Sequence, residues 1–408
     1  MVLRHVAPAG APIRLGDLFR WAGHALSSSD GGDNLRAEVT RRFGRSHLFV
    51  ACTGRAAMTL LLRALQRLAP PDRDEVVLPS YTCYSVAASV IKAGLRPRIV
   101  DVSPETLDFD PDQLRSADFS QVLAVIPTNL YGLPSDMPTW SRLAAERGAF
   151  LIDDAAQSMG ATVGGRWSGT WGDAGLFSLD KGKNVSAIDG GLVVSDSWPL
   201  AQALEEELRA LPIPSVGTTG KHVLKALGYF AMLRPWLYGI PAHMPQLGLG
   251  RTVFTTDFPL AHADPALVAL GAVMMRRLEW FTKARRENAA ALIAGLRELP
   301  DVQTVAPVSG SEPVYLRLPI LMRTPLLRDQ AIDALTGAGV GATGSYPRAL
   351  PDVPEVAKAM ANPDGRFSGG RAIASRIVTL PTHPFVSRGT IETVIAELRR
   401  GAIQRCAA

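Results

Sequence analysis

"DEVVLPSYTCYSVAASVIKAGLRPRIVDV", residues 74–102, reads as strand, helix, strand. "DEVVLPSY" and "RPRIVDV" are short, continuously apolar runs, and "SVAASVIKAGL" between them has a helical period. Strands that are apolar without alternation and are joined through helices belong to a parallel sheet covered on both faces. The series starts at "HLFVACTGRAAMTLLLRALQRL" (47–68) and continues through "VLAVIPTNLYG", "AFLIDDAAQ" and "GLFSL". An α/β domain is therefore expected, and the pattern changes after about residue 200. From there "LEWFTKARRENAAALIAGLREL" (278–299) predicts a long amphipathic helix, "PVYLRLPILM" a strand, "LRDQAIDALTGAGV" a helix closed by glycine, and "TIETVIAELRRGAI" a last helix. The expected division is a large α/β domain over residues 1–255 and a smaller α+β domain over 256–408.

A chain of 408 residues suits two or three domains, and 47% hydrophobic with 20% charged residues marks it as folded. The net charge of +5 is spread along the chain with no basic run interleaved with aromatics, so nucleic acid is not the expected partner. An anionic small molecule suits that balance better. Cys52, Cys83 and Cys406 form neither a disulfide framework nor a metal knuckle, which implies a reducing compartment. The first residues lack a signal-peptide core and no uncharged stretch is long enough to span a bilayer, so the cytoplasm is expected. The seven histidines are scattered without ligand spacing, so no metal is expected. There is no Walker loop, no G-x-G-x-x-G and no G-x-S-x-G elbow.

Ligands of such sheets sit beyond the carboxyl ends of the strands. Four places there carry chemistry. "CTGRAAM" sets Thr53, Gly54 and Arg55 at a strand-to-helix turn, where N–H groups and the helix dipole favour an anion. "LIDDAAQ" ends in Asp153 and Asp154, which alternation points to opposite sides; one of them is either a helix cap or a carboxylate awaiting a cationic partner. "FSL" ends in Ser178 and leads to two candidate amines, Lys181 and Lys183. "LPSYTCYSV" offers Tyr81 and Tyr84 beside Cys83, either core aromatics or covers for a flat ring. An amine, a carboxylate, an N–H-rich turn with a hydroxyl, and a flat cover are the parts that pyridoxal 5'-phosphate requires.

"DEVVLPSYTCYSVAASVIKAGLRPRIVDVSPETLDFDPDQL", "LYGLPSDM", "LIDDAAQSMGATVGGRWSGTWGDAGLFSLDKGKN", "DGGLVVSDS", "SYPRAL" and "LPTHP" resemble the DegT/StrS family of sugar aminotransferases. The resemblance implies a fold-type-I pyridoxal-phosphate enzyme with a mainly parallel seven-stranded sheet. It also implies an amino-acid donor (glutamate the first choice), a keto-sugar acceptor carried on a nucleotide, and a homodimer. By the same resemblance Lys183 is the Schiff-base lysine, five residues after Ser178 and directly before Asn184, with Lys181 a neighbour. Asp154 would pair with the ring nitrogen and Gln157 would lie near the ring hydroxyl. Ser178 with Thr53–Arg55 would hold the phosphate. Cofactor contacts are thus expected from Thr53, Gly54, Arg55, Cys83, Tyr84, Asp154, Gln157, Ser178, Lys183 and Asn184.

The chain departs from the family pattern in several places. Cys83 stands at the ring-covering position, leaving the stacking to Tyr84 or Tyr81, and Asp180 replaces an aromatic or histidine. The segment through which a partner subunit would reach the phosphate has become "TTDFPLAHADP" (255–265) without its asparagine; Arg251 and His262 are the candidates to replace it, and the sequence does not choose between them. "HVLKALGYFAMLRPWLYGIPAHMPQLGLG" (222–250) is unusually apolar and suits a subunit interface better than peripheral contact with lipid. Dehydration on the same scaffold, or an idle regulatory or membrane-associated relative, are the competing functions. Lys183 argues against dehydration, for which the family replaces the lysine with histidine.

Overall fold

The computed structural model describes residues 4–26, 31–242 and 253–406. Its strands are β1 (His47–Ala51), β2 (Glu75–Pro79), β3 (Arg96–Val100), β4 (Val122–Val125), β5 (Phe150–Asp154), β6 (Thr162–Val163), β7 (Arg166–Trp167), β8 (Ala174–Ser178) and β9 (Gly191–Ser195). The C-terminal part adds β10 (Val302–Thr304), β11 (Ser311–Glu312), β12 (Arg317–Met322) and β13 (Ile377–Pro381). Seven of these form one sheet in the order β1-β9-β8-β5-β4-β2-β3. β3, β2, β4, β5 and β8 pair in parallel, and only β9 runs against them, since β1 is antiparallel to β9 in turn. The expected mainly parallel sheet is what the chain forms. β10, β12 and β13 make a separate antiparallel sheet.

The quoted stretch folds as read, with β2 and β3 flanking the helix Tyr84–Lys92. All five residues of β2 are buried, as a strand covered on both faces requires. The helix Gly54–Leu68 starts where the Thr53 hydroxyl accepts the Ala56 N–H at 3.1 Å, and it buries Ala56 to Leu62, Ala64 and Leu65 against the sheet. The expected strand at 313–322 begins only at Arg317, because the Val314 N–H donates to the Gly132 carbonyl and Tyr315 takes φ 50°.

The helix Pro265–Met275 is apolar all round and packs with Leu35, Val39, Leu179 and Ala187 in the core beside the large sheet. The core of the C-terminal sheet gathers Leu292, Leu296, Leu318, Ile320, Leu335 and Val378. The helix Leu278–Leu296 spans the two, with Leu278 and Phe281 in the first core and Leu292 and Leu296 in the second. We infer that the units divide inside this helix rather than at residue 256.

Of the apolar stretch 222–250, the described part forms the helices Val216–Met232 and Pro235–Ala242, on which Leu224, Leu227, Met232, Trp236 and Ile240 are exposed. Among the described residues no helix is long and apolar enough to cross a membrane.

The run "GDAG" (172–175) has a steric origin. Gly172 sits at φ +63°, with the Leu151 carbonyl 2.6 Å from where a Cβ would lie, and Asp173 accepts the Leu151 N–H at 2.8 Å. Gly175 lies under the next loop, where a Cβ would be 1.8 Å from the Gly169 carbonyl oxygen. Gly175→Ala must displace that loop, and we expect a loss of about 3 kcal/mol or more of stability, read as a lower urea midpoint with an unchanged slope.

Candidate active site

A cleft of about 390 Å³ opens at the carboxyl edge of the large sheet. Three separate segments deliver its functional groups: the turn Thr53–Arg55 after β1, Asp154 and Gln157 at and after β5, and Ser178, Asp180 and Lys183 at and after β8. Cys83 and Tyr84, between β2 and its helix, line it as well.

The two carboxylates ending β5 have parted company as alternation requires. Asp153 is fully buried and accepts Asn129 Nδ2 at 2.8 Å, the Gly169 N–H at 2.6 Å and the Trp171 N–H at 3.2 Å. Its work is structural. Asp154 faces the cleft, and among the described residues its carboxylate takes one hydrogen bond, from the Ala156 N–H at 3.1 Å. Burial pushes its carboxyl up to about 6, against the pull of the Ala156 N–H and the Lys183 ammonium. A buried carboxylate so sparsely bonded is matched to a cationic N–H that the protein itself does not supply.

Lys183 is half-buried, and its side chain makes no hydrogen bond or salt bridge to the described residues. Its backbone N–H donates to the Asp180 carbonyl at 3.1 Å. Lys181 is exposed and does not line the cleft. Gln157 is fixed on both sides: its Oε1 accepts the Tyr131 N–H at 3.1 Å and its Nε2 donates to the Tyr346 hydroxyl at 3.1 Å. Tyr131 holds that position at φ 56°, in the left-handed region.

The turn and Ser178 form a cradle that depends on glycine. A Cβ on Gly54 would lie 3.1 Å from Ser178 Oγ, and one on Gly191 would lie 2.4 Å from the Thr53 carbonyl oxygen. The same cleft wall holds Thr82 and Thr128, each with a buried hydroxyl that has no protein partner among the described residues. An N–H-rich turn, a serine hydroxyl, a buried carboxylate and an unpaired amine fit the phosphate, ring nitrogen and aldehyde of pyridoxal phosphate.

Asn184 and Tyr81 fall outside the cleft lining, and Tyr84 falls within it. Asn184 does not line the cleft: it is buried behind it, its Nδ2 donating to the Met159 carbonyl at 2.8 Å and Thr282 Oγ1 at 3.1 Å, its Oδ1 accepting Arg285 Nε at 2.8 Å. Tyr81 is fully buried, with its hydroxyl 3.3 Å from both the Tyr131 hydroxyl and the Tyr346 carbonyl. Tyr84 lines the cleft, but its hydroxyl is engaged with Arg348, donating to its carbonyl at 3.0 Å and accepting its N–H at 2.9 Å. His262 bridges Ala51 away from the cleft lining, and Arg251 lies outside the described residues.

Sequence reasoning missed Thr128, Asn129 and Asp189, all in the cleft lining. Thr128 and Asn129 follow β4, so the rule that found Asp154 applies to them too. Asp189 precedes a strand, but β9 is the one that runs backwards, which brings its first end to the carboxyl edge. Burial and the neighbouring Asp180 push the Asp189 carboxyl up to about 6.

A parallel sheet whose carboxyl edge joins an amine, a carboxylate and an anion-holding turn defines a cofactor-carrying α/β enzyme. The chain belongs to the DegT/DnrJ/EryC1/StrS aminotransferase family, whose model matches residues 24–233 and 264–399. With that family comes pyridoxal phosphate as the cofactor. The chain is 36% identical over 203 residues to the UDP-N-acetyl-3-dehydro-alpha-D-glucosamine 3-aminotransferase of Acidithiobacillus ferrooxidans, a match covering 50% of this chain and 53% of that one, so it spans about half that relative's length. To the dTDP-3-amino-3,4,6-trideoxy-alpha-D-glucose transaminase of Micromonospora megalomicea subsp. nigra it is 27% identical over 93% of this chain and 91% of that one. Helicobacter pylori PseC, an aminotransferase involved in the biosynthesis of pseudoaminic acid, shares the fold with a TM-score of 0.80 at 13% identity, over 98% of this chain and 100% of that one.

The raised Asp154 carboxyl makes the cofactor-free protein pH-sensitive. Burial lifts it from an ordinary 3.8 to about 6, so the folded state binds that proton more tightly than the unfolded chain does. The stability gained is complete below the unfolded value and is lost as the pH rises through the folded one. Asp154→Asn never ionises, so its stability relative to the parent should improve by about 2 kcal/mol between pH 4 and pH 8 in cofactor-free protein. Urea unfolding of both at the two pH values checks this, and an unchanged difference would refute it.

Proposed function

We propose that the chain is a pyridoxal-phosphate aminotransferase that moves the amino group of an amino acid, glutamate first among them, to the keto group of a nucleotide-linked sugar. The observation that carries this reading is the convergence of Lys183, Asp154, Ser178 and the Thr53–Arg55 turn on one cleft. The nucleotide-sugar acceptor is supported by the names of the two relatives, a UDP-sugar and a dTDP-sugar enzyme.

When bound, the cofactor supplies an aldehyde and an electron-withdrawing ring. Lys183 would be the amine that holds the cofactor and, once free, the general base for the proton at the donor's α-carbon. Asp154 would hold a proton at the ring nitrogen, an interaction that burial strengthens. Ser178 and the turn would hold the phosphate, and Gln157 and Cys83 would border the ring.

We read the working form as a cytoplasmic homodimer in a polysaccharide or secondary-metabolite route. The half-buried free thiols of Cys52 and Cys83 suit a reducing compartment. The apolar side chains exposed along the helices Val216–Met232 and Pro235–Ala242 suit a second copy better than lipid. Sedimentation at micromolar concentration should give twice the mass of the chain, and a monomer with vesicle binding would reverse that choice.

Transfer of ¹⁵N from labelled glutamate to a UDP- or dTDP-linked keto sugar tests the reaction. Lys183→Ala should abolish transfer, a loss of at least about 10³-fold, whereas Lys181→Ala should retain most of it. A deoxy product without nitrogen would instead support dehydration, and loss of transfer with Lys181→Ala alone would move the catalytic amine.

A further inference from the structure

The segment after residue 252 is stitched to the start of the Gly54–Leu68 helix. The Cys52 N–H donates to the Ala261 carbonyl at 3.1 Å, and Ala51 forms a bridge with His262. Lys92 Nζ donates to the Thr256 carbonyl at 3.0 Å. Phe258, only 5% exposed, presents its ring to two cations: the Arg55 guanidinium lies 4.8 Å from the ring centre and Lys92 Nζ 4.7 Å. Val253 and Thr255 of the same segment line the cleft, as does Arg55.

Arg55 belongs to the cradle that Gly54 and Ser178 form, and its backbone is fixed independently of its side chain. Its carbonyl accepts Thr59 Oγ1 at 2.9 Å and Ser89 Oγ at 3.1 Å. A guanidinium on a fixed backbone is still a long, mobile group, and an aromatic face that attracts it removes part of that freedom before any ligand arrives. The pairing is thus suited to an anion of two charges at the helix start, where a guanidinium adds charge and directional donors to the backbone N–H groups.

We infer that Phe258 positions the guanidinium of Arg55, one of the turn residues read above as holding the cofactor's phosphate, so that this chain's own 253–262 segment supports the phosphate end of the cleft. The inference rests on the pyridoxal-phosphate reading above. It makes Phe258 matter for the phosphate alone and not for the ring.

Pyridoxal, which has the ring and aldehyde but no phosphate, separates the two. Cofactor-free protein is titrated with pyridoxal phosphate and with pyridoxal, following the visible band each aldehyde gives on Lys183. Arg55→Met should weaken pyridoxal phosphate about 30-fold and leave pyridoxal unchanged. Phe258→Leu, which keeps apolar volume and removes the aromatic face, should weaken pyridoxal phosphate about fivefold and also spare pyridoxal, while Phe258→Tyr should retain the parent's affinity for both. Equal loss of both aldehydes in Arg55→Met, or an unchanged phosphate preference in Phe258→Leu, would overturn the inference while leaving the cofactor in place. A parent protein that binds neither aldehyde would overturn the cofactor reading itself.

Discussion

Two carboxylates in succession at the buried end of the central strand are the constraint from which the rest of the site follows. Asp153 and Asp154 are both buried, and burial raises both carboxyls to about 6, so each must be given partners or left for a ligand. Asp153 takes three donors, and to bring them the chain folds the 164–172 loop back over β8, a fold-back only glycines at 169 and 175 permit. Asp154, turned the other way by alternation, is left facing the cleft. Its neighbours in the sheet, β4 and β8, then bring Asn129 on one side and Ser178 with Lys183 on the other. A strand at the sheet's edge would have only one such neighbour.

The loop that carries Lys183 is held from the opposite side by a second buried charge. Arg285 is fully buried, and its acceptors among the described residues are neutral: Asn184 Oδ1 at 2.8 Å, the Leu316 carbonyl at 2.9 Å, the Gly10 carbonyl at 2.7 Å and Thr382 Oγ1 at 3.4 Å. Burial drags its guanidinium down to about 9, and burial together with this neighbouring cation lowers His383 to about 3. An interior cation of this kind is costly, and what it secures is geometry. Four acceptors from four chain segments meet at one planar fork, and one of them is the residue next to Lys183. The lysine loop is therefore registered against the N-terminal arm and the C-terminal sheet together.

This arrangement also explains which parts could be read from sequence. Strands buried on both faces are continuous apolar runs, so residues 74–102 disclose the parallel sheet directly. Asp154, Gln157, Ser178 and Lys183 fall in one run of 34 residues, 151–184, whose spacing is fixed by the strand pair and the glycine-dependent loop, so the site was legible there too. Adjacency in sequence does not convey direction, however. Asn184 follows the lysine but turns under the loop toward Arg285, and Tyr81 sits two residues past the end of β2 yet closes into the core. The amphipathic helix Leu278–Leu296 serves both cores without a break, so composition marks no seam between them.

The cleft walls carry more charge than the protein neutralises. Beside Lys183 stand Asp154, Asp180 and Asp189, each with its carboxyl pushed up by burial, and across from them stands Arg55 over an aromatic ring. Of these groups Asp154 is the buried one, and in the cofactor-free state its raised carboxyl destabilises the fold near neutral pH. A ligand that brings a cationic nitrogen to Asp154, a dianion to the turn and an electrophilic carbon to Lys183 relieves all three at once. Since such a ligand binds the folded chain and not the unfolded one, stability and cofactor affinity are coupled by mass action. The residues best placed for chemistry are then also those whose removal should cost the empty protein least, because their unfavourable burial is tolerated for the sake of the complex.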